Sequence, residues 1–240
     1  MWQPLEIAVA LLTRFPVPRY QSTDPRTVGR SVLWYPSVGL LIGLVLAGVC
    51  LLTKSAPAMV AAALALLAWC VMTGGLHLDG LADSTDALIG SHGDSARALE
   101  IMKDPSAGPM GVTAVCMVLI VKFAALNGHI STETWWPIVA APVLGRAAVI
   151  ALFLSTPYVR PQGLGAILAA HLPRGPGRVV LLVVLAAGFF TGGAATLIGA
   201  VLAFLFLRRL IVRTVGGTTG DTTGALVEVT EAAALVSGTL

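Results

Sequence analysis

From residue 33 to the C-terminus the chain is a succession of apolar runs, with no stretch between them long enough to build a soluble core. A segment crossing a bilayer needs about 20 apolar residues, and its backbone must satisfy its own hydrogen bonds in the hydrocarbon. Those two requirements restrict such a chain to a bundle of helices. Only 11% of the 240 residues are charged, 56% are hydrophobic and the mean hydropathy is +0.87, whereas soluble domains carry roughly 25% charged residues. The expectation is an all-α, polytopic integral membrane helical bundle of about six to seven transmembrane helices, occupying residues 1–240 as a single domain.

Apolar windows fall at 33–53, 57–76, 110–127, 135–155, 179–191, 194–211 and 224–240. The fifth is short and meets the sixth at Gly192 and Gly193, which suits a tight hairpin or one broken helix. The seventh carries two glutamates. At the N-terminus the run from Ile7 to Leu12 is too short to span and lacks the basic flank and cleavage site of a signal peptide. An interfacial or re-entrant helix, stopped by Pro16, is expected there. Cys50, Cys70 and Cys116 fall inside expected spans without metal-ligand spacing, and read as small buried hydrophobes.

With the N-terminus in the cytoplasm, Arg14, Arg19, Arg26, Arg30, Arg97, Lys103, Arg160, Arg174, Arg178, Arg208, Arg209 and Arg213 fall on the cytoplasmic side, 12 of the 15 basic residues. Lys54 alone falls in an external loop, so the positive-inside rule selects this orientation. Residues 77–109, 156–178 and 213–223 then share the cytoplasmic face of the cytoplasmic (inner) membrane. A net charge of +3 without a Lys/Arg cluster is weak footing for nucleic-acid binding, and no nucleic-acid partner is expected.

Against this background the acids are conspicuous: six of the chain's 12 lie in two places, Asp79, Asp83 and Asp86, and Asp221, Glu228 and Glu231. On a helix the first three fall within about 60° of one another, because each residue advances about 100°. The second three form another stripe if their helix begins as early as Asp221, and His77 faces away from the first. A capped helix start needs one acid, not three on one face. Like charges at this spacing repel, and near a membrane they persist only where something cationic neutralises them. All-oxygen ligands suit Mg²⁺, Mn²⁺ or Ca²⁺, and Mg²⁺ typically shares its shell with substrate phosphates.

Two loops accompany the stripes. I-M-K-D-P-S-A-G-P-M-G, residues 101–111, offers Lys103, Asp104 and backbone N–H groups to an anion at the next helix start. G-G-T-T-G-D-T-T-G-A, residues 216–225, brings glycines including Gly220, four threonine hydroxyls and Asp221 to the front of an apolar helix. It suits a phosphate cradle but is no P-loop, because no G-K-[ST] ends it. Arg146 inside a span is costly unless paired or facing a polar cavity, which suits a phosphate clamp or a partner for an acid. Lys122 is expected to snorkel or to pair structurally. His92, His129 and His171 read as loop residues.

These motifs resemble one family. T-G-G-L-H-L-D-G-L-A-D-S-T-D at 73–86 is similar to the signature of cobalamin synthases, the adenosylcobinamide-GDP ribazoletransferases. L-T-R-F-P-V-P at 12–18, I-M-K-D at 101–104, and the 216–225 motif followed by Glu228 and Glu231 stand in the same order. The resemblance implies Mg²⁺-dependent transfer of the adenosylcobinamide phosphate from adenosylcobinamide-GDP to α-ribazole or its 5′-phosphate, with GMP leaving. It also implies an enzyme embedded in the cytoplasmic membrane, in contact with the lipid bilayer and compatible with a homo-oligomer. On this reading Asp79, Asp83 and Asp221 hold metal, and Asp86, Glu228 and Glu231 are further ligands or stand behind them. Asp86 is the expected general base, and His77 is either a hydrogen-bond donor or a packed residue. Arg14, Lys103, Asp104, Arg146 and Gly220 are expected at the phosphates.

The nearest rival is a CDP-alcohol phosphotransferase, whose D-G-x-x-A-R core D-G-L-A-D partly matches. Here Asp83 stands one position before the arginine's place and the downstream aspartates are missing. A prenyltransferase would need D-D-x-x-D, also missing. A cation- or proton-coupled transporter would carry its acids near the bilayer midplane with access from both sides.

Overall fold

The computed structural model describes residues 2–17, 24–191 and 193–240. Pro18 of the N-terminal motif, Arg19 of the cytoplasmic cations and Gly192 of the Gly-Gly break lie outside the described residues. Among the described residues every regular element is helical, apart from one isolated parallel bridge between Tyr158 and Thr218.

Helix α1 (Gln3–Leu12) starts with a proline in its first turn and ends where Thr13 turns extended, three residues before Pro16. It buries Ile7, Ala8 and Leu12 against the helices that follow, so it docks on the bundle. Asp24 caps α2 (Pro25–Ser31), its carboxylate accepting the N–H groups of Arg26 and Thr27. A short 3₁₀ turn leads into α3 (Tyr35–Leu52), and together these make an apolar rod of 28 residues.

Helix α4 (Ala58–Thr73) stops at two successive glycines, Gly74 and Gly75, with φ of 63° and 71°. Side chains other than glycine avoid that region, so the pair forms the corner at which α5 (Leu76–Gly90) turns 86° away from α4. Short α6 (Ser95–Ile101), capped by Asp94, follows. Next come α7 (Pro109–Ser131), α8 (Trp136–Ser155), α9 (Leu164–His171), α10 (Arg174–Phe190), α11 (Ala194–Val215) and α12 (Gly220–Ser237). Another sharp bend, 89°, separates α9 from α10.

Four of these segments are long and apolar enough to cross a membrane, Pro25–Leu52, Pro109–Ser131, Trp136–Ser155 and Ala194–Val215, and the count reaches six if each bent pair is one span. The protein is a multi-pass, all-α membrane protein. Large apolar side chains such as Leu44, Leu67, Leu182, Val183, Leu202 and Phe206 stand exposed around the bundle, which a bilayer would cover. The seventh expected span corresponds to α12, which departs from an ordinary span. It carries Asp221, Glu228 and Glu231 and runs through the middle of the bundle, packed on α5, α7, α8 and α11.

Other expectations change in detail. Cys50 is buried, but Cys70 is half-buried and Cys116 lies exposed on α7. His92 occupies a turn with φ of 50°. His129 is a buried α7 residue, 2.8 Å from the Leu235 carbonyl, and His171 closes α9. For those two the lone-residue reading as loop fails, because local sequence does not reveal where a helix ends.

Candidate active site

The site is built where helix ends meet: the α4–α5 corner, the starts of α7 and α12, and the segment leaving α8. Helix α5 crosses α12 in close contact. A methyl on Gly80 would sit 2.6 Å from the Asp221 carbonyl, and one on Gly224 3.2 Å from the His77 Cα. Glycines at these two crossing points let the backbones approach, and the approach sets Asp221 beside the α5 acids.

Asp79 is exposed, and Asp83, Asp86 and Asp221 are half-buried. Asp83 feels the repulsive charges of Asp79, Asp221 and Asp86 and the attraction of Arg160. Burial pushes the Asp221 carboxyl above the usual carboxylate range, while Arg160, bonded to it through Nη1 at 2.7 Å, pulls it back. Arg160 reaches it because Val159 N–H donates to the Thr218 carbonyl at 2.9 Å and Thr218 N–H donates to the Pro157 carbonyl at 2.8 Å. These two bonds stitch the segment after α8 to the one before α12.

The 101–111 loop does present backbone amides to an anion, but the anion is the protein's own. Asp86 accepts the N–H of Gly108 at 2.7 Å and of Gly111 at 2.9 Å. A methyl on Gly108 would stand 2.6 Å from its carboxylate. Asp86 thereby pins the start of α7 to α5. Lys103 and Asp104 are exposed beyond α6. Hydrogen bonds from Ser106 hold the Asp104 carboxyl below its usual range.

The threonines of the 216–225 motif turn inward. Thr219 caps α12 reciprocally with Thr222, their N–H to Oγ1 distances being 3.2 and 2.8 Å, and the Thr223 hydroxyl donates to the Thr219 carbonyl at 2.6 Å. The hydroxyls expected to cradle a phosphate bond within the turn, and the helix start exposes Gly220 and half-exposes Asp221 and Thr223. Arg14 is exposed at the α4–α5 corner, its N–H bonded to the Met72 carbonyl at 2.7 Å and its side chain passing over Gly74.

Deeper along α12 the arrangement is different. Lys122 of α7 reaches both Glu228, at 2.6 Å, and Glu231, and lies over the Trp69 ring at 4.3 Å. Arg146 of α8, fully buried, pairs with Glu231, and its Nη2 is 3.5 Å from His77 Nδ1. Glu228 and Glu231 thus stand deeper along α12 than Asp221, in ion pairs with Lys122 and Arg146. Lys122 pairs as expected, and His77 is a packed residue facing this network, away from the α5 acids. Arg160 was missed; only its charge, beside Pro161 and Gly163 in a loop, marked it.

Among the described residues no three His, Cys, Asp or Glu side chains converge tightly enough to hold a metal ion unaided. The donor set Asp79, Asp83 and Asp221 nevertheless fits Mg²⁺ by its chemistry: all oxygen, partly open to water, and crowded with like charge. Mg²⁺ commonly takes one or two carboxylates and completes its shell with waters and phosphate oxygens.

Comparison with known proteins adds an independent line. Residues 4–239 match the family described as cobalamin-5-phosphate synthase. A protein of Pseudomonas syringae pv. syringae (strain B728a) called adenosylcobinamide-GDP ribazoletransferase is 48% identical over 239 residues, 98% of each chain. Proteins with the same name are 50% identical in Stutzerimonas stutzeri (strain A1501), over 97% of this chain and 96% of the relative, and 46% identical in Pseudomonas fluorescens (strain SBW25), over 97% and 98%. No solved structure matches the chain.

Proposed function

The chain belongs to the cobalamin-5-phosphate synthase family, and from that premise we infer that it is the transferase joining adenosylcobinamide-GDP to α-ribazole or its 5′-phosphate. GMP is released, and adenosylcobalamin or its 5′-phosphate forms, the last assembly step of the nucleotide loop. The observation that carries the chemistry is the meeting of Asp79 and Asp83 with Asp221 across the α5–α12 contact, beside Arg160.

The ribazole hydroxyl attacks the cobinamide-linked phosphorus in line, and the bond from that phosphorus to the oxygen of the departing GMP breaks. Asp79 and Asp221 would hold Mg²⁺, which supplies neutralisation of the phosphate oxygens and orientation of the leaving group. Asp83, which no hydrogen bond engages among the described residues, takes the hydroxyl proton in place of Asp86. Arg14 and Lys103, both exposed, steer and hold the pyrophosphate, Arg14 through its guanidinium fork and Lys103 as a point charge. Asp86 keeps α5 and the start of α7 in register, so that the acids are preorganised rather than assembled on binding.

Orientation follows from charge. The carboxylates stand at one end of the bundle, the end that carries most of the basic residues, which supports a cytoplasmic site in the inner membrane with the N-terminus inside. Residues 1–240 act on this reading as one membrane-embedded transferase domain, with a second copy of the chain compatible as neighbour. A transporter would need its unpaired acids at mid-depth, and there Glu228 and Glu231 are already neutralised.

Purified protein in lipid nanodiscs, given adenosylcobinamide-GDP and α-ribazole, should release GMP and form a cobalamin product. Chelation by EDTA should stop it and Mg²⁺ restore it. A folded wild-type protein that forms no product with ribazole or its phosphate would sink the assignment.

A further inference from the structure

Arg160 has more hydrogen-bonding capacity than its surroundings use. One nitrogen, Nη1, serves Asp221. The other two, Nε and Nη2, are shut off from solvent and meet no acceptor among the described residues. A guanidinium is always charged and presents its donors in a rigid fork. Nε and Nη2 form one edge of that fork, the edge that grips two oxygens of a phosphate side by side. Leaving buried donors unmade is costly, and an acceptor offering two oxygens would satisfy both.

Its position sharpens the point. The bridge between Tyr158 and Thr218 holds the segment bearing Arg160 against the start of α12, within charge range of Asp83 and Asp221. In the arrangement described, Arg160 is the cation acting on that cluster. A divalent cation held by Asp79 and Asp221 would compete for the same carboxylate, leaving the Arg160 fork beside the group of Asp79, Asp83 and Asp221.

We propose that Arg160 is a phosphate-binding residue held in reserve: it neutralises Asp221 while the site is empty and transfers its fork to a phosphoryl group of the substrate when the cation arrives. The inference rests on the transferase reading above and adds a residue to it. A merely structural ion pair predicts that losing either partner has the same consequence. The exchange predicts opposite consequences, because removing Asp221 frees the fork and removing Arg160 deletes it.

The probe is inorganic pyrophosphate, titrated calorimetrically into nanodisc-embedded wild type, Arg160→Gln, Arg160→Lys, Asp221→Asn and the double variant. In the presence of Mg²⁺, Arg160→Gln should bind roughly ten- to a hundredfold more weakly than wild type, the range for hydrogen bonds to a charged group, and Arg160→Lys should fall between them. In the absence of divalent cation, Asp221→Asn should bind more tightly than wild type, and the double variant should lose that gain. Thermal unfolding of each protein confirms that it is folded. Equal affinities for wild type and Arg160→Gln, a gain in Asp221→Asn that survives in the double variant, or no pyrophosphate binding by the wild type with Mg²⁺ present overturns the proposal. GMP release by the wild type in the same preparation separates the outcomes: activity without dependence on Arg160 removes this inference and leaves the function standing, while inactivity removes the function.

Discussion

Helix α12 carries two acidic regions a short distance apart, and they could hardly be less alike. At its start, Asp221 joins Asp79 and Asp83 in a half-open group with Arg160 set against them. About two turns further on, Glu228 and Glu231 are buried and matched by Lys122 and Arg146, two charges against two. Buried charge that is balanced and ion-paired holds helices together. Unbalanced charge at an opening is unfinished, and what completes it comes from outside. Burial and balance, rather than the presence of an acid, separate structure from chemistry in this molecule.

The largest effect should come from the closed region. Arg146→Met leaves Glu231 with Lys122 alone, and breaking a buried pair of this kind costs about 3–5 kcal/mol. The unfolding midpoint in nanodiscs should fall well below that of the wild type. A variant that unfolds normally but has lost its turnover would break the comparison, by giving the network a catalytic part.

At the open region the prediction inverts. Asp79→Asn should lower kcat by about 10²- to 10³-fold, roughly 3–4 kcal/mol of transition-state stabilisation, while the midpoint holds or rises as repulsion within the group is relieved. Unfolding of this variant would show that the aspartates are structural after all.

Asp86 sits between the two regions in character, an acid of the first stripe spent on backbone. Asp86→Ala strands the amides of Gly108 and Gly111 and should cost about 1–3 kcal/mol. Residues 102–107 should become quicker to cleave in limited proteolysis. Unchanged cleavage would return Asp86 to the list of chemical candidates. Smallest of all, Arg97→Ala removes an exposed pair with Glu100 on α6; a change above about 1 kcal/mol would be too large for a surface ion pair.

Much of this was legible in the sequence. The apolar runs place α3, α4, α7, α8 and α11 near their observed positions, because span length is set by bilayer thickness and reads out locally. The α5 stripe is legible for a similar reason: spacings of four and three determine which residues share a helix face. The family resemblance covers nearly the whole chain and agrees with the comparisons. What escaped were partnerships between distant residues. Arg160 meets Asp221 across 61 positions, and Lys122 meets Glu231 across 109. Nothing local in either segment announces its partner. The 101–111 loop and the threonine motif show their polar, turn-forming character in the sequence, but not that the partners of their groups include the protein's own Asp86 and its own backbone.

By itself the sequence determined the class of fold, the family and the face of α5 on which the aspartates stand, since each depends on composition or on periodicity within one segment. Only the tertiary structure decided which acids are open and which are spent. That depends on where a second helix brings its charges, and on the glycines of α5 and α12 that let Asp221 come close. A carboxylate's chemistry is fixed by its neighbours in space, and for this chain those neighbours lie far away along it.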